Sequence, residues 1–216
     1  MNYSSRKKNK TVKYIVLHYT GMINLQSAYS RLNSTLSDVS AHYLVSRSGK
    51  IYNLLCLKFK AWHAGKSQWK NDKNINDNSI GIELENKGHD YGYTEFTDKQ
   101  YKSLKQLIYF LKSIYHINDE CILFHSDISP NRKKDPGEKF KLRKIGISRF
   151  NNCKIKNSNL SVIKMLRLYG FSEKYIKLHF DDCIIATKRS MNYKKITKNI
   201  DKKFKKNFYN LLIQKY

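Results

Sequence analysis

Apolar residues fall in short blocks through the first two thirds of the chain and at helical spacing through the last third. Tyr14-Ile15-Val16-Leu17 and Cys121-Ile122-Leu123-Phe124 are runs of buried-strand length, too short for helices that end there. The first predicts a strand over about 12–18 ending on His18, the second a strand over 121–124 ending before His125. Ser79 to Glu85 alternates strictly, with Ile80, Ile82 and Leu84 on one face and Gly81, Glu83 and Glu85 on the other. Ala41–Val45 and Ile51–Leu55 flank Ser46-Arg47-Ser48-Gly49-Lys50, which reads as a hairpin turning at Gly49.

Two stretches carry the helical period instead. Leu25, Ala28, Tyr29 and Leu32 predict a helix over 24–34. Tyr101, Leu104, Leu107, Ile108, Leu111 and Ile114 form one stripe behind Thr97, with Gln100 completing a capping box. Strands alternating with helices predict a mixed α/β domain, a central sheet with helices packed on it. Beyond Leu142 the spacing is helical throughout: Val162, Met165 and Leu166; Ile184, Ile185 and Thr187; Phe204, Phe208, Leu211 and Leu212. Gly170 suits a helix stop, and Asn199 or Asp201 a helix start. The chain thus divides into a basic, solvated arm (1–11), a domain over 12–148, a polar linker around 149–159 and a three-helix module over 158–216.

Composition adds one feature. Of 216 residues 40 % are apolar and 13 % aromatic, as in a folded protein, and 42 basic against 17 acidic side chains leave a net charge of +25. Residues 143–216 hold 19 basic and 4 acidic side chains, +15 of that total. Such charge attracts polyanions and weakens with salt, or else reflects nucleotide bias in the source genome. Cys56, Cys121, Cys153 and Cys183 are scattered, without a C-x-x-C pair, which fits neither a thiolate metal site nor a disulfide framework. No apolar run approaches a membrane span, and no apolar signal segment follows the basic start. A cytoplasmic location is therefore expected, with the cell envelope as the alternative.

Candidate chemistry gathers at His125 to Gly137, H-S-D-I-S-P-N-R-K-K-D-P-G. A histidine at a strand end, followed by a loop that returns an aspartate, aims two ligands at one metal. His18 at the end of the first strand is the proposed third. Two imidazoles and a carboxylate leave one tetrahedral zinc position open, as catalytic sites do. Asp127 competes with Asp135 for the carboxylate, the alternative being that it orients the loop. Glu83 and Glu85 share a strand face, so alternation does not choose between them as an acid–base group.

The segments I-V-L-H-Y-T, V-S-A-H-Y-L-V, A-W-H-A-G, N-D-N-S-I-G-I-E-L-E-N and H-S-D-I-S-P-N-R-K-K-D-P-G occur in this order between 12 and 142. Together they resemble the zinc-dependent N-acetylmuramoyl-L-alanine amidases, the family that includes the peptidoglycan recognition proteins, and within it the AmiD/AmpD-like branch. The resemblance implies Zn²⁺ held by His18, His125 and Asp135, with Glu83 as catalytic carboxylate and Lys133 facing the oxyanion. It implies hydrolysis of the amide between N-acetylmuramic acid, or its anhydro form, and L-alanine in peptidoglycan or muropeptides. Trp62, His63 and Asn76 are candidate substrate contacts. The tail, through L-R-L-Y-G-F, resembles a peptidoglycan-binding three-helix module, expected to aid substrate binding and not chemistry. Leu142 departs from the tryptophan common at its position.

Two other functions remain in view. A non-catalytic peptidoglycan recognition module would lack the ligand trio, which is present here. A polyanion-binding protein would follow from the charge, yet no nucleic-acid motif accompanies it, and no specific nucleic-acid partner is expected. The chain is expected to act as a monomer. His42, His89, His116 and His179 read as structural or surface residues.

Overall fold

The computed structural model describes residues 1–7, 11–149 and 160–213. The chain opens with β1 (Tyr3–Ser5), β2 (Tyr14–Tyr19) and α1 (Leu25–Asn33), then β3 (Tyr43–Val45), β4 (Ile51–Asn53) and β5 (Phe59–Ala61). A short ribbon, β6 (Gln68–Trp69) and β7 (Asp72–Lys73), precedes β8 (Ser79–Leu84) and α2 (Asp98–Tyr115). β9 (Ile122–Phe124) runs directly into α3 (His125–Ile128), and four helices follow: α4 (Val162–Tyr169), α5 (Glu173–Leu178), α6 (Phe180–Ser190) and α7 (Lys202–Ile213).

The main sheet has the order β4-β3-β8-β2-β9. Its pairs are parallel except β3–β4, the predicted hairpin, which forms an antiparallel edge. Both faces of the sheet are covered, which is why β2 and β9 read as unbroken apolar runs. On one face Ile15, Leu17, Ile80, Ile82 and Leu84 meet Leu104, Ile108 and Leu111 of α2. Thr97 and Gln100 close the predicted capping box at the start of α2. Ile114 does not join the stripe and stays exposed, while Ile117, just past the left-handed His116, is buried. Phe140 is buried against Phe124, Phe96 and Tyr101, and Leu142 packs half-buried at the edge of this core.

On the other face Tyr14, Val16, Leu123 and Ile128 share a core with Met165, Leu166, Tyr169, Phe204, Phe208 and Leu212. The C-terminal helices therefore form the second layer over the sheet. Among the described residues they number four, where the apolar spacing predicts three. The added helix is α5, whose start is capped by Ser172 accepting from the Tyr175 N–H. Asp201, one of the two predicted starts, accepts from the Phe204 N–H at 2.6 Å. Gly170 ends α4 as expected and packs against Trp69, where an added Cβ would stand 2.3 Å from the indole. The linker expected around 149–159 lies outside the described residues, except for Arg149, which is buried.

The basic arm departs from expectation. Tyr3–Ser5 pairs antiparallel with Phe59–Ala61. Arg6 then donates to the carbonyls of Leu57, Asn76, Asp77 and Ser79 at 3.0–3.4 Å. A guanidinium with five donors matches this cluster of carbonyls, so residues 1–7 of the arm are fastened to the domain. Among the described residues no helix is long and apolar enough to cross a membrane.

Candidate metal centre and active-site cleft

In a parallel sheet ligands meet the carboxyl ends of the strands. His18 and Glu83 sit opposite each other near the ends of β2 and β8, and His125 follows the end of β9. All three fall on the face shared with the C-terminal helices, at the edge those helices leave open. A cleft of about 450 Å³ lies there, lined by His18, His63, Glu83, His125, Lys133 and Asp135, with Tyr19, Arg31, Tyr91 and Arg132 around them.

His125 does not end a strand before a loop. It starts the one-turn helix α3, and the Ser126 N–H donates to the Asp135 carbonyl at 3.0 Å. That bond folds the two ends of the Pro130–Lys134 loop together and places Asp135 beside His125. His18 Nδ1 lies 2.9 Å from His125 Nδ1, and Asp135 Oδ2 is 3.0 Å from each. His125 Nε2 faces the Ala64 carbonyl oxygen at 3.3 Å. A carbonyl only accepts, so that bond puts the ring proton on Nε2 and leaves Nδ1 a lone pair. With a carboxylate oxygen added, the cluster presents lone pairs that repel unless a cation lies between them. Tetrahedral zinc with bonds of about 2.0–2.1 Å would separate its ligand atoms by about 3.3 Å, close to the spacing here. The residues fit the metal the family implies.

The local fields agree. Burial, then His125, hold His18 down to about 4. Burial would raise the Asp135 carboxyl, but His125 and His18 outweigh it and keep it well below the ordinary range. Glu83 is pushed well up, by burial first and then by Asp135, with Lys133 opposing. Its Oε2 is buried without a hydrogen-bond partner. Glu85 is engaged elsewhere, its carboxylate accepting from the Arg47 N–H at 2.7 Å. Strand alternation left the two open, and the end of β8 at Leu84 separates them.

Asp127 stands apart from the trio. It is fully buried below α3, accepting from the Phe124 N–H, Tyr169, Ser190 and Arg149 at 2.7–3.0 Å. Of the candidate substrate contacts, only His63 reaches the cleft, and it is bonded to His18 and Ser79. Trp62 does not line the cleft, its indole donating to Ser4. Asn76 does not line it either, and accepts from the His63 and Ala64 N–H groups. His42 is structural as expected: Nδ1 accepts from the Gly81 N–H, so Nε2 donates to the Phe59 carbonyl. His89, expected at the surface, is half-buried, bridging Tyr19 and Glu138 and stacked on Tyr93. Nothing in its sequence neighbourhood marks that role. Arg31 on α1 also went unmarked, because helical spacing singles out its apolar neighbours. Cys56, Cys121 and Cys183 are free.

Two imidazoles and a carboxylate beside a glutamate whose buried Oε2 has no hydrogen-bond partner form a candidate metal site of the kind hydrolases use. Residues 8–138 match the family model described as N-acetylmuramoyl-L-alanine amidase. The chain is 34 % identical over 192 residues to N-acetylmuramoyl-L-alanine amidase AmiD of Escherichia coli K12, covering 76 % of this chain and 68 % of that protein. The structure of AmiD from E. coli, in complex with its substrate anhydro-N-acetylmuramic acid-L-Ala-D-γ-Glu-L-Lys, superposes with a TM-score of 0.77 at 26 % identity, over 98 % of this chain and 93 % of the other. AmpDH3 of Pseudomonas aeruginosa superposes with a TM-score of 0.80 at 26 % identity, over 98 % and 96 %. The chain belongs to the N-acetylmuramoyl-L-alanine amidase family and is an amide hydrolase.

Proposed function

We propose that the protein is a zinc amidase that cleaves the bond between the lactyl group of N-acetylmuramic acid, or its anhydro form, and L-alanine. The observation that carries this reading is the convergence of His18, His125 and Asp135 at 2.9–3.0 Å beside the Glu83 carboxyl, whose buried Oε2 has no hydrogen-bond partner. Zinc held by such a trio supplies a Lewis-acid centre at which water is acidic near neutral pH and a carbonyl is polarised.

The chain's own residues do the rest. Glu83 accepts the proton of the attacking water as the new C–O bond forms, and returns it to the amide nitrogen as the C–N bond breaks. Its raised proton affinity suits the first half of that exchange, because it makes the carboxylate a stronger base toward the water. Lys133, on the loop between the two metal-binding segments, faces the oxygen on which negative charge develops. The rim cations Arg31, Arg132 and Lys134 suit a stem peptide bearing carboxylates.

The test is release of free peptide from a purified anhydro-muropeptide, followed by mass spectrometry, with elemental analysis of the same protein. One zinc per chain is expected, lost in His18→Ala and Asp135→Ala, with activity abolished by chelation and restored by zinc. Folded, zinc-loaded protein that leaves the amide intact would overturn the reading.

A further inference from the structure

His63 is the one cleft-lining imidazole outside the ligand trio, and it is almost wholly buried. Its surroundings fix where the protons lie. The Ser79 hydroxyl is 2.6 Å from the Ile75 carbonyl oxygen, which can only accept, so the single Ser79 proton is committed there. Ser79 Oγ also stands 3.1 Å from His63 Nε2. Its proton already used, it can only accept, so Nε2 of His63 carries the hydrogen. In the neutral ring Nδ1 is then a lone pair, and it faces His18 Nε2 at 3.0 Å. His18 must donate from Nε2, which leaves its Nδ1 unprotonated and turned toward His125 and Asp135.

We propose that His63 is a positioning residue of the metal centre, the middle of a relay from the Ile75 carbonyl through Ser79 to His18 that holds His18 in its metal-accepting tautomer. His18 thus matches His125, whose Nε2 is fixed by the Ala64 carbonyl. One ligand is oriented by backbone directly, the other through two side chains. The strand beside the ring is shaped to admit it: a Cβ on Gly81 would stand 2.4 Å from His63 Cγ, so any residue larger than glycine displaces the imidazole. The same Gly81 N–H is held by His42, which fixes the strand against which the ring lies. This role replaces the substrate contact that A-W-H-A-G suggests.

The inference rests on His18 being a zinc ligand, and the experiment separates the two. Zinc affinity is measured by competition with a chromophoric chelator for the wild type, His63→Leu and His63→Asn, each checked for native circular dichroism. Partners that orient a ligand are typically worth about 10–100-fold in metal affinity, so His63→Leu is expected to lose that much. His63→Asn, whose Oδ1 can stand where Nδ1 stood, is expected to recover most of it. Long-range ¹⁵N–¹H spectra of the zinc-loaded wild type should show the proton of His63 on Nε2 alone. Wild-type protein that binds no zinc would defeat the ligand reading. Wild-type and His63→Leu proteins that bind zinc equally, or a His63 ring protonated on Nδ1, would defeat this one alone, and the spectrum decides even if His63→Leu does not fold.

Discussion

Glu83 and Glu85 show how two residues of one type, two positions apart, take unrelated work. Both leave the same strand face, so their separation depends on where the strand ends and what waits there. Glu85 lies one residue past β8 and clamps the hairpin turn through the Arg47 N–H. Glu83 points a bare, buried oxygen into the cleft. Glu83→Gln should therefore keep metal and fold while losing at least about 10²-fold in turnover, since positioned acid–base groups contribute about 10²–10⁴-fold. Glu85→Gln should retain near-full turnover and lose about 0.5–1.5 kcal/mol of stability, the net worth of one hydrogen bond. Steady-state rates and thermal melts of the two variants check both halves, and an inactive Glu85→Gln beside an active Glu83→Gln would invert the assignment. The convergence of His18, His125 and Asp135 was legible in the sequence because strand ends and motif spacing place them. That Trp62 and Asn76 stand off the cleft was not legible, because a motif names neighbours and says nothing of the direction of each side chain.

Elements were legible where one period persisted, and less so where tertiary contacts decide. The stripe and capping box of α2 came straight from the sequence. The N-terminal arm did not, because a run of three residues gains strand character only from a partner, here β5. Its anchor is partly electrostatic. Asp77 is buried beside the loop of Arg6 carbonyl contacts and pairs with Lys60 at 3.0 Å and Lys7 at 3.1 Å. Burial would raise the Asp77 carboxyl, but the two lysines outweigh it and set it below its ordinary value. A lowered folded-state pKa contributes stability that is present above the unfolded value of about 3.9 and lost as pH falls through the folded value. Asp77→Asn should accordingly lower the melting temperature at neutral pH, by the equivalent of about 1 kcal/mol or less given the exposure of Lys7. The deficit should shrink as pH falls below about 4, and a deficit constant from pH 7 to pH 3 would show that the ion pairs contribute nothing.

At the scale of the molecule, the C-terminal helices and the sheet share a core. The apolar spacing of the last third correctly announced helices, but spacing does not say against what a stripe packs. Residues of α4 and α7 share a buried cluster with Tyr14 and Val16 of β2 and Leu123 of β9, so the strand that carries His18 and the one that leads to His125 are packed against the tail. The junction is also polar. Asp127, two residues after His125, binds Arg149, Tyr169 and Ser190 in a site closed to solvent. Tyr169→Phe removes one of these bonds and should cost about 1 kcal/mol. Asp127→Asn strands the Arg149 charge in the interior and should cost about 3–5 kcal/mol, as breaking a buried pair does. Because Asp127 also accepts from the Phe124 N–H at the root of α3, Asp127→Asn should weaken zinc binding as well, while Tyr169→Phe leaves it near the wild-type value. Removal of residues 150–216 goes further, exposing several large apolar side chains worth about 1.5–3 kcal/mol each when buried, against a total stability of about 5–15 kcal/mol for a typical domain. The truncated chain is expected to melt without cooperativity, bind a hydrophobic dye and hold no stoichiometric zinc. A 1–149 fragment that melts cooperatively, retains zinc and turns over a soluble muropeptide would show instead that the sheet stands without its second layer, and that the tail serves substrate alone.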